Sequence, residues 1–140
     1  MRREAALPGT LSIDLLDRTA AVARRALEQI LLPHDLTLDA WRVLHALCVQ
    51  GPQSMRPLGD MTGTTAPTLT RIVDRLVARS LVYRNVDPGD RRRLLVHASE
   101  RGRALQKDLQ EPLREAESAA LAPLSHEEVR TLRDLLERLT

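Results

Sequence analysis

Arginine dominates the chemistry open to this chain. Of its 21 basic residues only Lys107 is not arginine. Base composition alone can produce such a bias, so the placement of the arginines carries the information. Thr68, Arg71 and Arg75 stand at i, i+3 and i+7, which puts them on one face of a helix. Thr64 and Thr65 lie at the start of the same stretch, and Arg91, Arg92 and Arg93 follow a turn. A guanidinium offers a rigid fork of donors that matches a phosphate or the O6/N7 edge of guanine. Hydroxyls and an exposed helix N-terminus hold phosphate. Asp90 is placed to pair with a following arginine and fix its direction. Asp74, beside Arg75, is the discordant charge, either restraining an arginine or facing away.

Taken alone, three arginines in a polar turn read as solubility. The charge distribution argues against that. Residues 56–93 carry eight Arg against four Asp, whereas residues 1–55 are neutral, residues 94–103 hold +1 and residues 104–140 hold −3. A cationic block on a chain of net charge +2 attracts a polyanion in one orientation. The aromatic residues are Trp41 and Tyr83, with no Phe, so stacking platforms for single strands are missing. The reading that remains is a duplex.

Other chemistries find little support. There is no Gly-rich phosphate loop, no Gly-x-Ser-x-Gly and no clustered His/Asp/Glu signature, so an enzyme is not expected. Asp87 and Asp90 imitate a carboxylate pair, but a turn explains both. His34, His45, His97 and His126 are scattered without helical ligand spacing, and Cys48 is the single cysteine. No metal, cofactor or disulfide is therefore expected. Cys48 shares an apolar stripe with Leu44 and Leu47 and reads as a buried structural thiol; a redox-sensing regulator acting through Cys48 is the alternative. No window of about 18 apolar residues exists, so no membrane partner is expected. Residues 1–8 lack an apolar signal-peptide core, and a cytoplasmic location is expected.

The elements that must position these residues are legible. A length of 140 residues predicts a single domain, 1–140. Residues 11–32 read as a helix with one stripe of Leu16, Ala20, Ala23, Leu27, Ile30 and Leu31 and a second of Leu15, Val22 and Ala26. A face that wide predicts burial against more than one neighbour. Pro33 is expected to end it. Thr37 should cap the next helix, with Leu36 and Trp41 as a hydrophobic staple. Ser54 should cap a short helix with Leu58 and Met61 inward, and Thr62-Gly63-Thr64 turns the chain. Thr65 opens a helix with Pro67 in its first turn and Leu69, Ile72, Val73, Leu76 and Val77 inward. Two β-prone runs, 81–86 and 94–98, flank Asp87-Pro88-Gly89-Asp90 and predict a hairpin whose tip runs into Arg91-Arg92-Arg93. Residues 99–122 read as a long helix that Pro112 should kink or break. A capping box at Ser125–Glu128 opens the last helix, with Val129, Leu132, Leu135, Leu136 and Leu139 as its stripe.

The fold class that follows is mainly α with a small β-hairpin. A short helix, tight Gly-containing turn, second helix and hairpin predict a winged helix-turn-helix. Residues 36–102 resemble the DNA-binding core of the MarR family of bacterial transcriptional regulators. The matching pieces are Leu36-Thr37 with Trp41-Arg42-Val43-Leu44; Thr68-Leu69-Thr70-Arg71-Ile72-Val73-Asp74-Arg75-Leu76; Leu81-Val82-Tyr83-Arg84; Asp87-Pro88-Gly89-Asp90-Arg91-Arg92; and Ser99-Glu100-Arg101-Gly102. Gly59, Ala98-Ser99 and Pro112 depart from the family pattern.

The resemblance implies a homodimer joined through the helices at 11–32 and 99–140, with residues 36–98 as the DNA-binding lobe. It implies a double-stranded, pseudo-palindromic DNA operator, usually bound to repress transcription, with Arg92 entering the minor groove. It also implies a small aromatic or phenolic ligand bound between the dimer helices and that lobe, for which Arg18, Arg24, Trp41, Arg42 and His45 are the candidates. Plain core for Trp41 and a surface cation for Arg42 are the competing readings. The competing class is a winged-helix protein–protein interaction module, which would not need Arg91, Arg92 and Arg93 together with outward Arg71 and Arg75.

Overall fold

A computed structural model describes residues 13–140. Six α-helices and one hairpin appear among them in the order α1 Ile13–Leu31, α2 Leu38–Gln50, α3 Met55–Thr62, α4 Ala66–Ala78, β1 Val82–Asp87, β2 Asp90–Ala98, α5 Glu100–Ala120 and α6 His126–Glu137. This is the helical, hairpin-bearing architecture that the apolar spacing predicts. Residues 11 and 12 of the expected first helix lie outside the described residues. Its other end is corrected: the α-helix stops at Leu31, and Leu32–His34 form a 3-10 turn containing Pro33.

Local signals set most boundaries. Thr37 Oγ1 accepts a hydrogen bond from the Ala40 amide, and the staple residues Leu36 and Trp41 are both buried. Gly63, at φ 64°, occupies the left-handed region that ends α3, where a side chain would be strained. Ser125 and Glu128 form the reciprocal capping box of α6. Two caps differ from expectation. Ser54 precedes α3 but makes no cap bond, because its hydroxyl accepts from Arg93 instead. The Thr65 hydroxyl donates to Thr68 Oγ1 rather than capping α4.

One apolar core binds these parts. Leu31, Val43, Leu44, Leu47, Leu58 and Val73 are wholly inaccessible, and Leu69, Leu76, Leu81, Val82 and Val96 nearly so. Each such side chain contributes roughly 1.5–3 kcal/mol by leaving water. Met61, expected inward, is half exposed. The strands pair antiparallel from Val82↔Ala98 to Val86↔Leu94, and Gln53 adds a short third edge by exchanging both backbone hydrogen bonds with Val96.

Helix α5 runs through Pro112 as one element, so of the expected kink or break the break does not occur. A proline there removes one i→i−4 bond, and burial of the neighbouring Leu109 and Leu113 offsets that loss. The N-terminus of α5 is set by close packing. Ser99 Oγ accepts from the Gly102 amide and donates to the Ser80 carbonyl, while a Cβ at Gly102 would lie 2.0 Å from the Leu81 carbonyl oxygen. Gly102→Ala should therefore destabilise the chain by roughly 1–3 kcal/mol or more despite alanine's better helix propensity. A urea midpoint equal to that of the parent chain would contradict this packing.

Candidate nucleic-acid interface

Helix α4 presents two faces. Leu69, Val73 and Leu76 are buried, which turns Arg71 to the opposite, exposed side. Thr68 and Arg75 flank it toward α2, and Thr70 and Asp74 flank it toward the hairpin. The structure thus brings Thr68, Arg71 and Arg75 onto one surface, as their spacing predicts. Along its α2 side runs a groove of about 450 Å³ with Leu32, Leu36 and Ile72 in its walls and Arg71, Arg75 and Arg79 at its rim. Arg75 also lies 3.7 Å from the Asp35 carboxylate, an exposed pair that holds it weakly. Thr64 is turned inward to the α3–α4 turn: its hydroxyl meets Thr62 Oγ1 at 2.9 Å.

The discordant Asp74 has a partner. It pairs with Arg84 of β1 at 2.5 Å, tying α4 to the hairpin and leaving Arg71 outside the pair. Arg79 is likewise structural, its guanidinium donating to the His34 and Asp35 carbonyls at 2.6 and 2.8 Å. These two roles were invisible in the sequence, because each joins elements distant along the chain.

The hairpin displays its arginines by an irregularity. The pairing slips between Val86 and Asp87, so Arg91, Arg92 and Arg93 lack cross-strand partners between Asp90 and Leu94. They project from β2 rather than from a loop beyond the strands. Asp90 does not pair with a guanidinium, contrary to expectation. Its carboxylate accepts from the Arg92 amide at 3.0 Å, as Asp87 accepts from Gly89 at 2.9 Å, so both acids shape backbone. Arg93 donates to Ser54 Oγ at 2.7 Å, which anchors the hairpin to the start of α3. Among the described residues no ion pair involves Arg71, Arg91 or Arg92. These cations are exposed and available.

The five residues proposed for a small ligand divide. Trp41, Arg42 and His45 share a hollow of about 530 Å³ on α2, completed by Val49 and Met61. Trp41 is buried yet stacks on His45, with ring centroids 5.4 Å apart. Arg42 pairs with Asp39 at 3.2 Å. Arg18 lies apart, beside Leu15, Val22 and Leu121, and Arg24 pairs with Glu28 on α1's own surface. Gln106 was missed by the sequence reading: its amide nitrogen lies 3.2 Å from His45 Nδ1. A polar residue on the buried stripe of α5 was the available signal.

No group of three or more His, Cys, Asp or Glu able to hold a metal occurs among the described residues. Nor is any helix there long and apolar enough to cross a membrane. Cys48 is half-buried, and burial pushes its thiol up from the ordinary range more strongly than nearby Arg103 pulls it down.

Helix α3, the Gly63 turn, α4 and the hairpin behind it define a winged helix-turn-helix. Residues 34–93 match the MarR family, and the chain belongs to it. It is 37% identical to a probable transcriptional regulator from Pseudomonas aeruginosa of known structure, with TM-score 0.81 over 90% of this chain and 94% of that one. It is 26% identical to Bordetella bronchiseptica BpsR, whose DNA binding is regulated by 6-hydroxynicotinic acid, with TM-score 0.87 over 96% of each chain. Over 70 residues, half of this chain, it is 43% identical to the transcriptional repressor NicR of Pseudomonas putida; that stretch spans 44% of NicR.

The raised thiol predicts slow chemistry at Cys48. Alkylation by iodoacetamide near neutral pH should run several-fold slower than with free cysteine and accelerate as pH rises, because only the thiolate reacts. A rate above that of free cysteine would instead support the redox-sensing alternative.

Proposed function

We propose that this chain is a transcriptional regulator that binds a pseudo-palindromic operator in double-stranded DNA as a homodimer, most simply as a repressor. The observation that carries this reading is the shared exposure of Arg71 on α4 and of Arg91 and Arg92 on the irregular hairpin, outside every ion pair described. On this reading α4 enters the major groove with Thr65, Thr68, Arg71 and Arg75. Thr64 lies at its N-terminal approach, and the hairpin places Arg92 in the minor groove. Residues 36–98 form the DNA-binding lobe of one domain, 1–140. Its partner is DNA in the cytoplasm, and it has no catalytic role. NicR's description as a repressor and BpsR's as a DNA-binding protein support the same direction.

The homodimer rests on apolar surface. Ile13, Leu15 and Val22 of α1 and Leu135 and Leu136 of α6 are 43–68% exposed, and no residue of α6 is fully buried. A second copy covering these helices removes that surface from water. Two copies of α4 would then sit about one DNA turn apart, ~34–36 Å.

The hollow at Trp41, Arg42 and His45 is the proposed effector site, for a flat aromatic or phenolic acid. Regulation of BpsR by 6-hydroxynicotinic acid supports that class. Such a ligand acts only insofar as it binds the DNA-incompetent arrangement more tightly.

Footprinting on DNA upstream of the chain's own gene tests the reading, and a dimer-sized protected site is expected. On that site Arg92→Ala should weaken binding at least ~10-fold, roughly 1.4 kcal/mol, with the fold intact; undiminished affinity at fixed salt would remove Arg92 from the groove. Arg71→Ala should cost roughly 1–3 kcal/mol of discrimination between operator and random duplex. An equal loss on both duplexes would make it a phosphate contact. Affinity should also fall steeply and linearly on a log–log salt plot, and a flat plot would exclude an arginine-driven interface.

A further inference from the structure

Gln106 is the buried polar side chain of the described core, 8% exposed on the face of α5 that also buries Leu109 and Leu113. Its amide nitrogen has two neighbours. It lies 3.1 Å from Gln110 Oε1 and 3.2 Å from His45 Nδ1. A carboxamide oxygen only accepts, so one N–H of Gln106 points to Gln110. The second N–H then points to His45 Nδ1, which must be unprotonated to accept it. A neutral imidazole with Nδ1 as acceptor carries its proton on Nε2. No bond to Nε2 from any described residue accompanies this one, and Nε2 is not among the buried polar atoms left unpaired. The ring that carries it stacks on Trp41 and lines the hollow with Arg42 and Met61.

We infer that Gln106 is a positioning residue: by donating to Nδ1 it holds His45 as the Nε2–H tautomer, so the Trp41 hollow offers a donor and selects flat ligands with an acceptor in the ring plane. This inference rests on the hollow being the effector site proposed above. It adds the reason for preferring a carboxylate or phenolate over a neutral group that offers only donors. Arg42 reinforces the preference from the rim, but its guanidinium is shared with Asp39. The His45 ring adds a donor that no described residue engages. The same bond also joins α5 to α2, so a ligand engaging His45 touches both helices through one side chain.

The test reads the tautomer first, without a ligand. Long-range nitrogen–proton NMR of the full chain, labelled at histidine and held where the ring is neutral, should show His45 protonated at Nε2. Gln106→Glu replaces the donor by an acceptor and should invert the pattern to Nδ1–H. Gln106→Met, similar in volume but without a donor, should yield a mixture of the two. A parent chain protonated at Nδ1, or a pattern unmoved by both substitutions, overturns the assignment. Because the parent spectrum decides the first point, the inference stays testable even if a variant fails to fold. Benzoate and aniline, a neutral ring whose amino group serves as a donor, are then titrated into the parent chain and Gln106→Glu. Benzoate should be preferred by the parent and lose about tenfold or more of that preference in the variant. A preference unchanged while the tautomer inverts would overturn the role in selectivity. Absence of benzoate binding with the Nε2–H pattern intact would overturn the effector reading and leave the Gln106–His45 geometry standing.

Discussion

Everything this surface can do to a duplex depends on one shared core. Leu69, Val73 and Leu76 of α4 are buried in the same apolar cluster as Val82, Val96 and Ala98 of the hairpin. Neither element buries enough apolar area alone: a two-stranded hairpin is marginal in water, and a 13-residue helix is little better. Packed together, they hold each other's backbone. The distance and angle between the exposed faces of α4 and the hairpin are then properties of the interior. Gln53, bonded to Val96, and the close approach of Gly102 to Leu81 extend that frame to the start of α3 and to α5.

Electrostatics refines what packing sets up. Clustered arginines repel one another, and the structure disperses the block by giving several of them partners. Arg84 takes Asp74, Arg79 takes two backbone carbonyls, Arg93 takes a serine hydroxyl and Arg75 leans toward Asp35. These contacts spend cations on holding elements in place and leave Arg71, Arg91 and Arg92 exposed. Exposed pairs such as Arg75–Asp35 contribute little, roughly 0–1 kcal/mol, so a phosphate can compete for the same guanidinium. The carboxylates of Asp87 and Asp90 shape the hairpin backbone without neutralising its arginines.

The far side of the molecule poses the complementary problem. Apolar stripes on α1 and α6 face water, while α5 buries Leu109 and Leu113 beneath a continuous helix that carries Pro112. The polar bond between Gln106 and His45 crosses the boundary between this region and α2. A buried amide is costly unless its hydrogens are used, and here both have acceptors. That requirement restricts how α5 can slide on α2.

Much of this was legible from residue order because it is governed by interactions within a few positions. Thr37 and Ser125 as caps, the Asp87–Asp90 turn, the stripes of α2 and α4 and the common face of Thr68, Arg71 and Arg75 all follow from spacing of four residues or fewer, or from turn chemistry. Tertiary contact decided the rest. Ser54 leaves its cap for Arg93, Met61 turns outward, Asp90 holds an amide instead of a guanidinium, and Asp74 finds Arg84. Arg18 and Arg24 part from Trp41, Arg42 and His45, and Gln106 joins them. Each of these outcomes depends on which partner competes successfully for a side chain once distant segments are packed together. Periodicity can place a residue on a face, but only the assembled chain determines what that face meets.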